Sequence, residues 1–299
     1  MKLVRFKTRS GRISWGWLDP AESGLVHEPL GGLTAAPIEH HLASGVAELV
    51  ANARSADRAT HELATLRLLA PLARPAKFMA IGRNYRAHAA ELGNQAPEQP
   101  MVFGIMPSAI SGPFDDIALP AASTQIDWEG ELGVVIGRTA RNVGRGSAID
   151  YIAGYTAIND ISARDLQKKD VQWTRAKSFD TFKPMGPCLT TVDELGLAGD
   201  LGISVKVNGR QKQDASTALM IFAVAELIEF ISAFCTLQPG DIIATGTPSG
   251  VGMGENPVSF LKHGDVVETE IEGIGRMANR AVAAGAVEIA SEEASLARA

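Results

Sequence analysis

The sequence predicts a mixed α+β fold, with a twisted, largely antiparallel β core, short helices and a small N-terminal domain. Short apolar, β-branched runs recur along the chain and end at glycine or Asn-Gly turn signals. Residues 218–234 have the apolar spacing of a helix that packs against a core. The chain has 299 residues, near the upper limit for one hydrophobic core, so we expect one large and one small domain.

Composition and charge narrow the class of protein. The formal net charge is −6 with both signs scattered, whereas a nucleic-acid-binding protein would show a basic stripe. The charged first residues are unlike a signal peptide, and no stretch approaches the ~18 apolar residues of a membrane-spanning helix. Cys188 and Cys235 match no metal-binding spacing and fit a reducing compartment. We therefore expect a cytoplasmic protein without nucleic-acid or membrane partners.

Residues 1–70 are predicted to form the small N-terminal domain. Strands are expected at residues 3–6 and 13–18, because a Ser-Gly turn signal separates two apolar runs. Helical stretches are expected at residues 38–52 and 61–69. No residue in this part of the sequence indicates chemistry.

Residues 71–299 are expected to form the domain that carries the chemistry. After a proline-containing linker, strand 77–82 runs into a short helix, 83–93, that ends at a glycine. His88 and Glu91 are three residues apart on this helix and share a face. A carboxylate beside an imidazole raises its basicity, which suits a general base acting on water. The alternative is a surface ion pair of little energetic value.

Two glutamates lie on segment 127–137, which is predicted to be a strand. Side chains alternate along a strand, so Glu129 and Glu131 point the same way with Cα atoms roughly 6.6 Å apart. Carboxylates that close repel each other unless a cation or a proton lies between them. Gly130 leaves the opposite face open to close approach. The pair is therefore either a metal clamp or a solvated strand face with ordinary glutamates.

Two further segments add charged candidates. A β-like run at residues 151–158 ends beside Asp160, where a strand gives way to a helix. A carboxylate at such a place is either a ligand or an N-cap. Lys177 lies among the aromatic and apolar residues of 173–182. Its ammonium is either partly buried and directed at an anion or carbonyl, or extended to water.

The remaining segments complete the predicted β core. Residues 97–120 are rich in proline and glycine, which predicts an irregular loop over a site or an interface. Strands are expected at 241–244 and 266–271. The glycine-rich loop 245–252 is neither a P-loop nor a dinucleotide fingerprint, but it can offer backbone N–H groups to a carboxylate. The alanine-rich tail after Ala281 is predicted to be helical or frayed.

In this order the segments resemble the fumarylacetoacetate hydrolase family. Five motifs carry the resemblance and cover most of residues 77–275, although any one alone is a weak signal. They are Gly82-Arg83-Asn84-Tyr85 through Glu91, Asp127-Trp128-Glu129-Gly130-Glu131-Leu132, Gly154-Tyr155 through Gln167, Trp173-Thr174-Arg175-Ala176-Lys177-Ser178-Phe179-Asp180, and Gly240-Asp241 through Gly252. Residues 1–70 resemble the variable N-terminal domain of some members. The implied fold is this family's twisted mixed β core, a β-sandwich or roll, with a small N-terminal α/β domain.

The resemblance implies a metal site. Glu129, Glu131 and Asp160 would bind one divalent ion, with water and a chelating 2-oxo acid completing the coordination. An all-carboxylate set suits Mg²⁺ or Mn²⁺, with Ca²⁺ as a third candidate, and argues against zinc. The implied partners are a small-molecule 2-oxo or diketo acid and a second copy of the chain in a homodimer.

The resemblance also implies catalytic and substrate-binding residues. His88 with Glu91 would match the base that activates water, and Lys177 the group that stabilises enolate or oxyanion charge. The positions that match substrate contacts are Arg83, Gln167 and Thr247. Met106 departs from the pattern, because many members have a lysine there, just before the proline.

The implied reaction is hydrolysis of a C–C bond in acylpyruvates or related diketo acids. Hydroxide would attack the distal carbonyl, and pyruvate would leave as an enolate held by the metal. The same site could decarboxylate oxaloacetate, or isomerise or hydrate unsaturated 2-oxo acids. A non-catalytic metal-binding or assembly protein is a further alternative, against which the presence of His88, Glu91 and Lys177 together speaks.

Overall fold

The apolar runs of the sequence form the strands of a mixed α+β fold. A computed structural model describes residues 1–19, 21–22 and 24–286. The strands in this part of the chain are β1 (Lys2–Lys7), β2 (Ile13–Leu18), β3 (Leu25–Pro29), β4 (Arg58–Glu62), β5 (Arg67–Leu69), β6 (Phe78–Gly82), β7 (Met101–Ile105), β8 (Ile110–Ser111), β9 (Ile117–Leu119), β10 (Ile126–Asp127), β11 (Gly130–Ile136), β12 (Ile152–Asn159), β13 (Ser162–Ala163), β14 (Lys183–Thr191), β15 (Gly202–Val207), β16 (Arg210–Ser216), β17 (Ile242–Ala244), β18 (Val266–Ile271) and β19 (Gly275–Ala283). The α-helices are α1 (Ile38–Leu42), α2 (Val46–Ser55), α3 (Arg86–Glu91), α4 (Arg164–Lys169), α5 (Thr174–Lys177), α6 (Val192–Leu195) and α7 (Val224–Phe234). The strands predicted at 3–6, 13–18, 77–82, 151–158, 241–244 and 266–271 are confirmed, as is the fold class.

The strands form two main sheets. The larger sheet has the order β4-β3-β2-β1-β14-β12-β11-β17-β6-β7, with β5 on β1 and β8 on β14. The smaller sheet has the order β16-β15-β18-β19-β9, and β10 and β13 form a short separate pair. Most neighbours are antiparallel, as predicted; the parallel pairs are β8 with β14, β6 with β17 and β9 with β19. The two sheets pack face to face through their apolar sides.

Gly130 allows a close approach between the two sheets. A Cβ atom built at this glycine would lie 2.4 Å from Cγ2 of Val205 in β15. The glutamates on either side of Gly130 therefore face away from the smaller sheet. The open face predicted at Gly130 is thus confirmed, and it is filled by another β-strand.

The N-terminal strands extend the larger sheet. β1 pairs with β14 in an antiparallel register, with Lys2 opposite Thr190 and Leu3 opposite Leu189. The predicted domain boundary between residues 70 and 71 therefore separates strands that belong to the same sheet. The division into two domains stays a prediction. The predicted helix 38–52 is present as two short helices, α1 and α2.

Two element predictions are wrong. Residues 61–69, predicted to be helical, form the end of β4, a 3₁₀ turn and β5. Their leucines recur at helical spacing, but pairing of β4 with β3 and of β5 with β1 overrides that local pattern. Residues 97–120, predicted to be an irregular loop, include β7, β8 and β9, because these short segments pair with β6, β14 and β19. Of the predicted alanine-rich tail, β19 and a 3₁₀ turn reach residue 286, and residues 287–299 lie outside the described part.

A buried carboxylate in β3 gives the N-terminal strands a pH-dependent stability. Glu28 accepts hydrogen bonds from Arg12, from Ser14 Oγ at 2.6 Å and from His61 Nε2 at 2.7 Å. Burial alone would raise the pKa of Glu28, but these bonds outweigh it and lower the pKa from the ordinary 4.5 to about 2. A lowered carboxyl pKa stabilises the fold above pH 4.5, and this stabilisation is lost as the pH falls towards about 2.

We expect Glu28→Gln to lower the free energy of unfolding at pH 7 by about 1–3 kcal/mol. The variant should also lose less stability than the wild type between pH 4.5 and about 2, because it lacks this carboxylate. Urea unfolding across that pH range measures both effects. The exposed Glu48 provides the matched control, Glu48→Gln, and parallel pH profiles for the wild type and Glu28→Gln would contradict the assignment.

Candidate active site

Three carboxylates converge where β11 and β12 meet. Glu131 lies in β11, Glu129 immediately before it and Asp160 immediately after β12. The antiparallel register places Gly130 opposite Asn159, so Asp160 lies across from Glu129, and its N–H donates to Glu129 O at 2.8 Å. One oxygen of each carboxylate lies within 4.8 Å of the others. Two residues of one strand and a cross-strand neighbour therefore form one cluster.

Burial and the start of α4 exclude the two alternative interpretations of these carboxylates. Glu129, Glu131 and Asp160 are 4%, 1% and 1% exposed, so they are not part of a solvated strand face. Asp160 is not an N-cap either, because α4 begins at Arg164 and its N-cap residue is Ala163.

The buried charges around the cluster do not balance. Among the described residues, four buried carboxylates face three buried cations: Asp127, Glu129, Glu131 and Asp160 against Arg164, Lys177 and Lys183. One negative charge is therefore left without a buried counter-charge. Burying an unpaired charge is costly, so the site favours an added cation or proton.

The pKa values of the two glutamates in the cluster are shifted in opposite directions. Burial and the neighbouring Asp160 and Glu129 raise the pKa of Glu131 well above its ordinary value. Burial also acts on Glu129, but Arg164 and Lys177 outweigh it and lower its pKa to about 2. The charged form of Glu131 is therefore disfavoured, and an added cation would stabilise it.

Lys177 shows that the cluster attracts a cation. Its Nζ donates to Glu129 Oε2 at 2.5 Å and to Asp160 Oδ2 at 2.7 Å, and its side chain is buried. Burial lowers the pKa of Lys177, but Asp160 and Glu129 outweigh that effect and raise it. The interpretation in which this lysine extends to water is wrong. Because an ammonium already lies where two carboxylate oxygens converge, and the donor set is all oxygen, these residues fit a hard divalent cation.

His88 and Glu91 form a pair on α3 in which His88 is buried and Glu91 is partly buried. His88 Nδ1 lies 3.3 Å from Glu91 Oε2, and His88 is 5% exposed, so this is not a surface ion pair. With Nδ1 engaged by the carboxylate, Nε2 is the nitrogen available as a base. The shared helix face predicted for these two residues is confirmed.

The glycine-rich loop after β17 supports the site through its backbone. Its N–H groups donate to three carboxylates of the chain: Gly246 to Glu131, Gly250 to Glu91, and Gly252 to Asp127, at 2.8, 2.8 and 2.7 Å. The loop therefore positions both a cluster carboxylate and the partner of the base. The predicted capacity of this loop to bind a carboxylate is used by the protein's own side chains.

A cavity of about 280 Å³ joins the carboxylate cluster to the histidine. Its lining includes the three residues whose predicted role is substrate contact, Arg83, Gln167 and Thr247. Arg83 has a positive φ of 58°, a strained conformation of the kind found at functional sites. Thr247 Oγ1 donates to Gly130 O at 2.9 Å, so its hydroxyl also holds the central strand. Met106 is 54% exposed and is not part of the cavity lining.

Sequence reasoning missed two buried cations beside the cluster. Arg164 pairs with Asp127 and Glu129, and Lys183 is fully buried against Asp160. A signal for Lys183 existed, since it is the one charged residue in the strand 183–191, which is otherwise apolar or uncharged. In the described part of the chain, no helix has the length and apolar character needed to cross a membrane.

The fold and the site define an enzyme whose carboxylate cluster shares one cavity with His88, the partner of Glu91. The family model described as "Fumarylacetoacetate (FAA) hydrolase C-terminal" matches residues 77–282, and the model described as "Rv2993c-like, N-terminal" matches residues 1–71. The chain belongs to the fumarylacetoacetate hydrolase family.

Individual relatives support this membership. An uncharacterised protein from Archaeoglobus fulgidus is 50% identical over 220 residues, which span 74% of this chain and 84% of that protein. The structure of a fumarylacetoacetate hydrolase from psychrophilic Exiguobacterium antarcticum has a TM-score of 0.82 and 37% identity, covering 95% of this chain and 99% of that one. The structure of a 2-hydroxyhepta-2,4-diene-1,7-dioate isomerase from Mycobacterium marinum has a TM-score of 0.77 and 37% identity, with coverage of 95% and 99%. The similar proteins thus include both hydrolases and isomerases.

Proposed function

We propose that this protein is a divalent-metal-dependent hydrolase that cleaves a C–C bond in acylpyruvates or related diketo acids. The observation that carries the proposal is the buried His88, paired with Glu91, on the same cavity as the carboxylate cluster. Hydrolysis needs a base for water, whereas decarboxylation of oxaloacetate does not.

The charge of the site supports an anionic 2-oxo acid as substrate. A divalent ion held by Glu129, Glu131 and Asp160 changes the surplus of one buried negative charge into one positive charge. One substrate carboxylate neutralises that charge. Arg83 lines the same cavity and adds a cation for a further polar group of the substrate.

Each residue in the proposed mechanism has a separate role. His88 Nε2 takes a proton from water, and Glu91 stabilises the imidazolium that forms. The resulting hydroxide adds to the distal carbonyl, and the C–C bond breaks to give a carboxylic acid and the enolate of pyruvate. The imidazolium of His88 then returns its proton to the enolate carbon, which gives pyruvate. When bound, the divalent ion supplies positive charge to the carboxylate and keto oxygen of the pyruvyl group.

Lys177 supplies the second positive charge where negative charge develops. Its ammonium contacts two cluster carboxylates, and a divalent ion bound there would repel it. Loss of one contact would free N–H groups of Lys177 for a substrate oxygen in the cavity that it lines.

Lys177→Met should separate metal binding from catalysis. Removing the competing ammonium should strengthen Mg²⁺ binding, while kcat falls by about 10²–10³-fold because an oxyanion donor is lost. Calorimetric Mg²⁺ titration and steady-state kinetics measure the two effects. Weaker Mg²⁺ binding together with unchanged kcat would contradict this role for Lys177.

An assay panel with Mg²⁺ or Mn²⁺ tests the proposed reaction. The substrates are an acylpyruvate, oxaloacetate and an unsaturated 2-hydroxy dioate, and the products are followed by chromatography. We expect the acylpyruvate to yield pyruvate and the corresponding acid. Turnover of oxaloacetate, or isomerisation of the dioate, with no cleavage of any diketo acid would reject the hydrolase assignment and favour the alternative chemistry.

We also propose the metal ion, the oligomeric state and the cellular compartment of the enzyme. Mg²⁺ or Mn²⁺ is the proposed ion, since three carboxylates form a hard oxygen site. A homodimer is proposed from family membership. The free cysteines, Cys188 and Cys235, support a reducing compartment such as the cytoplasm.

A further inference from the structure

Each carboxylate of the cluster has one oxygen held by a partner outside the cluster. Glu129 Oε1 lies 2.6 Å from Arg164 Nη1, and Glu131 Oε2 accepts from Gly246 N–H at 2.8 Å. Asp160 Oδ1 lies 2.7 Å from Lys183 Nζ. The second oxygens of Glu129 and Asp160 converge on a single cation, the Lys177 ammonium. The outer partners therefore leave one oxygen of each carboxylate for an ion.

Hydrogen bonds to surrounding backbone carbonyl oxygens hold the Lys183 ammonium in position. Lys183 is fully buried, and its Nζ donates to the carbonyl oxygens of Ile161 at 3.2 Å, of Phe182 at 3.0 Å and of Lys177. An ammonium has three N–H groups, so these contacts saturate its donors and fix its position. The same Nζ lies 2.7 Å from Asp160 Oδ1, which therefore contacts a fixed, buried ammonium.

This arrangement affects how Asp160 can bind a metal ion. An ion held by both carboxylate oxygens would contact Oδ1, which is already next to a fixed ammonium. The two cations would then repel each other at short range in a buried site, where screening is weak. Ligation through Oδ2 alone keeps the ion farther from Lys183.

We propose that Lys183 restricts Asp160 to one-oxygen ligation and thereby makes the site selective for Mg²⁺ or Mn²⁺ over Ca²⁺. Ca²⁺ takes six to eight oxygens and often binds a carboxylate through both of them, whereas Mg²⁺ requires octahedral geometry with six ligands. Lys183 is a positioning residue, because it acts through Asp160. The inference rests on the metal site of the proposed function and adds the choice of ion.

Calorimetric titration of Lys183→Gln with Mg²⁺, Mn²⁺ and Ca²⁺ tests this inference. Glutamine removes the charge but keeps N–H donors for the neighbouring carbonyls. We expect the ratio of Ca²⁺ to Mg²⁺ affinity to rise by about tenfold or more, as is typical when a partner of a metal ligand is lost. The exposed lysine of β15 gives the control, Lys206→Gln, whose affinities should match the wild type. An unchanged ratio in Lys183→Gln would overturn the proposal.

The wild-type titration separates this inference from the proposed function. If the wild type binds no divalent ion, both fail; if it binds one ion and the variant ratio is unchanged, only the role of Lys183 fails. Should the variant not fold, crystal structures of the wild type with Mn²⁺ and with Ca²⁺ decide the question. One Asp160 oxygen on each ion supports the proposal, and two Asp160 oxygens on Ca²⁺ with Lys183 still in place overturn it.

Discussion

Replacing His88 with alanine is expected to lower kcat for acylpyruvate hydrolysis by about 10²–10⁴-fold, the usual contribution of a general base. Mg²⁺ binding should persist, because His88 is not a member of the carboxylate cluster. Steady-state kinetics combined with calorimetric Mg²⁺ titration measures both quantities. This combination distinguishes loss of the base from collapse of the site.

The exposed His40 provides a matched control, since it is not among the residues that line the cavity and His40→Ala removes the same side chain. Its kinetics should equal those of the wild type. Glu91→Gln should give a smaller loss than His88→Ala, because the imidazole remains while its orienting carboxylate is neutralised. Full activity in His88→Ala would show that another group activates water.

Glu131→Gln is expected to have two opposite effects. Mg²⁺ affinity should fall by at least about 100-fold, because a direct ligand loses its charge and outer partners alone change affinity by about 10–100-fold. The metal-free protein should become more stable, because burial and two neighbouring carboxylates raise the pKa of Glu131 and disfavour its charged form. A gain of 1 kcal/mol corresponds to about 2–4 °C in Tm for a chain of this size.

Differential scanning calorimetry with and without Mg²⁺ measures both effects of this substitution. The wild type should gain Tm on Mg²⁺ addition, whereas Glu131→Gln should start higher and gain little. Glu270→Gln, on the exposed side of β18, controls for the loss of one charge. A variant that starts lower than the wild type and still gains Tm with Mg²⁺ would contradict the role assigned to Glu131.

The sequence could predict the residues of the site better than their arrangement. Strand alternation explains why Glu129 and Glu131 share a face, and helical spacing explains why His88 meets Glu91. The position of Asp160 depends on the register between β11 and β12, which local sequence does not determine. The resemblance to a family supplied that third carboxylate.

The missed buried lysine and the wrongly predicted helix have a common physical cause. Lys183 is acceptable in a buried strand only because three carbonyl oxygens and Asp160 surround it. Two of these partners, Asp160 and the Ile161 carbonyl, come from the segment after β12. Residues 61–69 have leucines at helical spacing but form strands, because β1 and β3 offer sheet edges to pair with. Long-range pairing thus decided both cases.

A crystal structure of the wild type with Mn²⁺, read from the anomalous signal of the ion, tests the central claim most directly. We predict one Mn²⁺ per chain, bound by one oxygen each of Glu129, Glu131 and Asp160, beside the cavity that His88 lines. An ion bound at another place, or none among these carboxylates at saturating Mn²⁺, would contradict the proposed reaction centre.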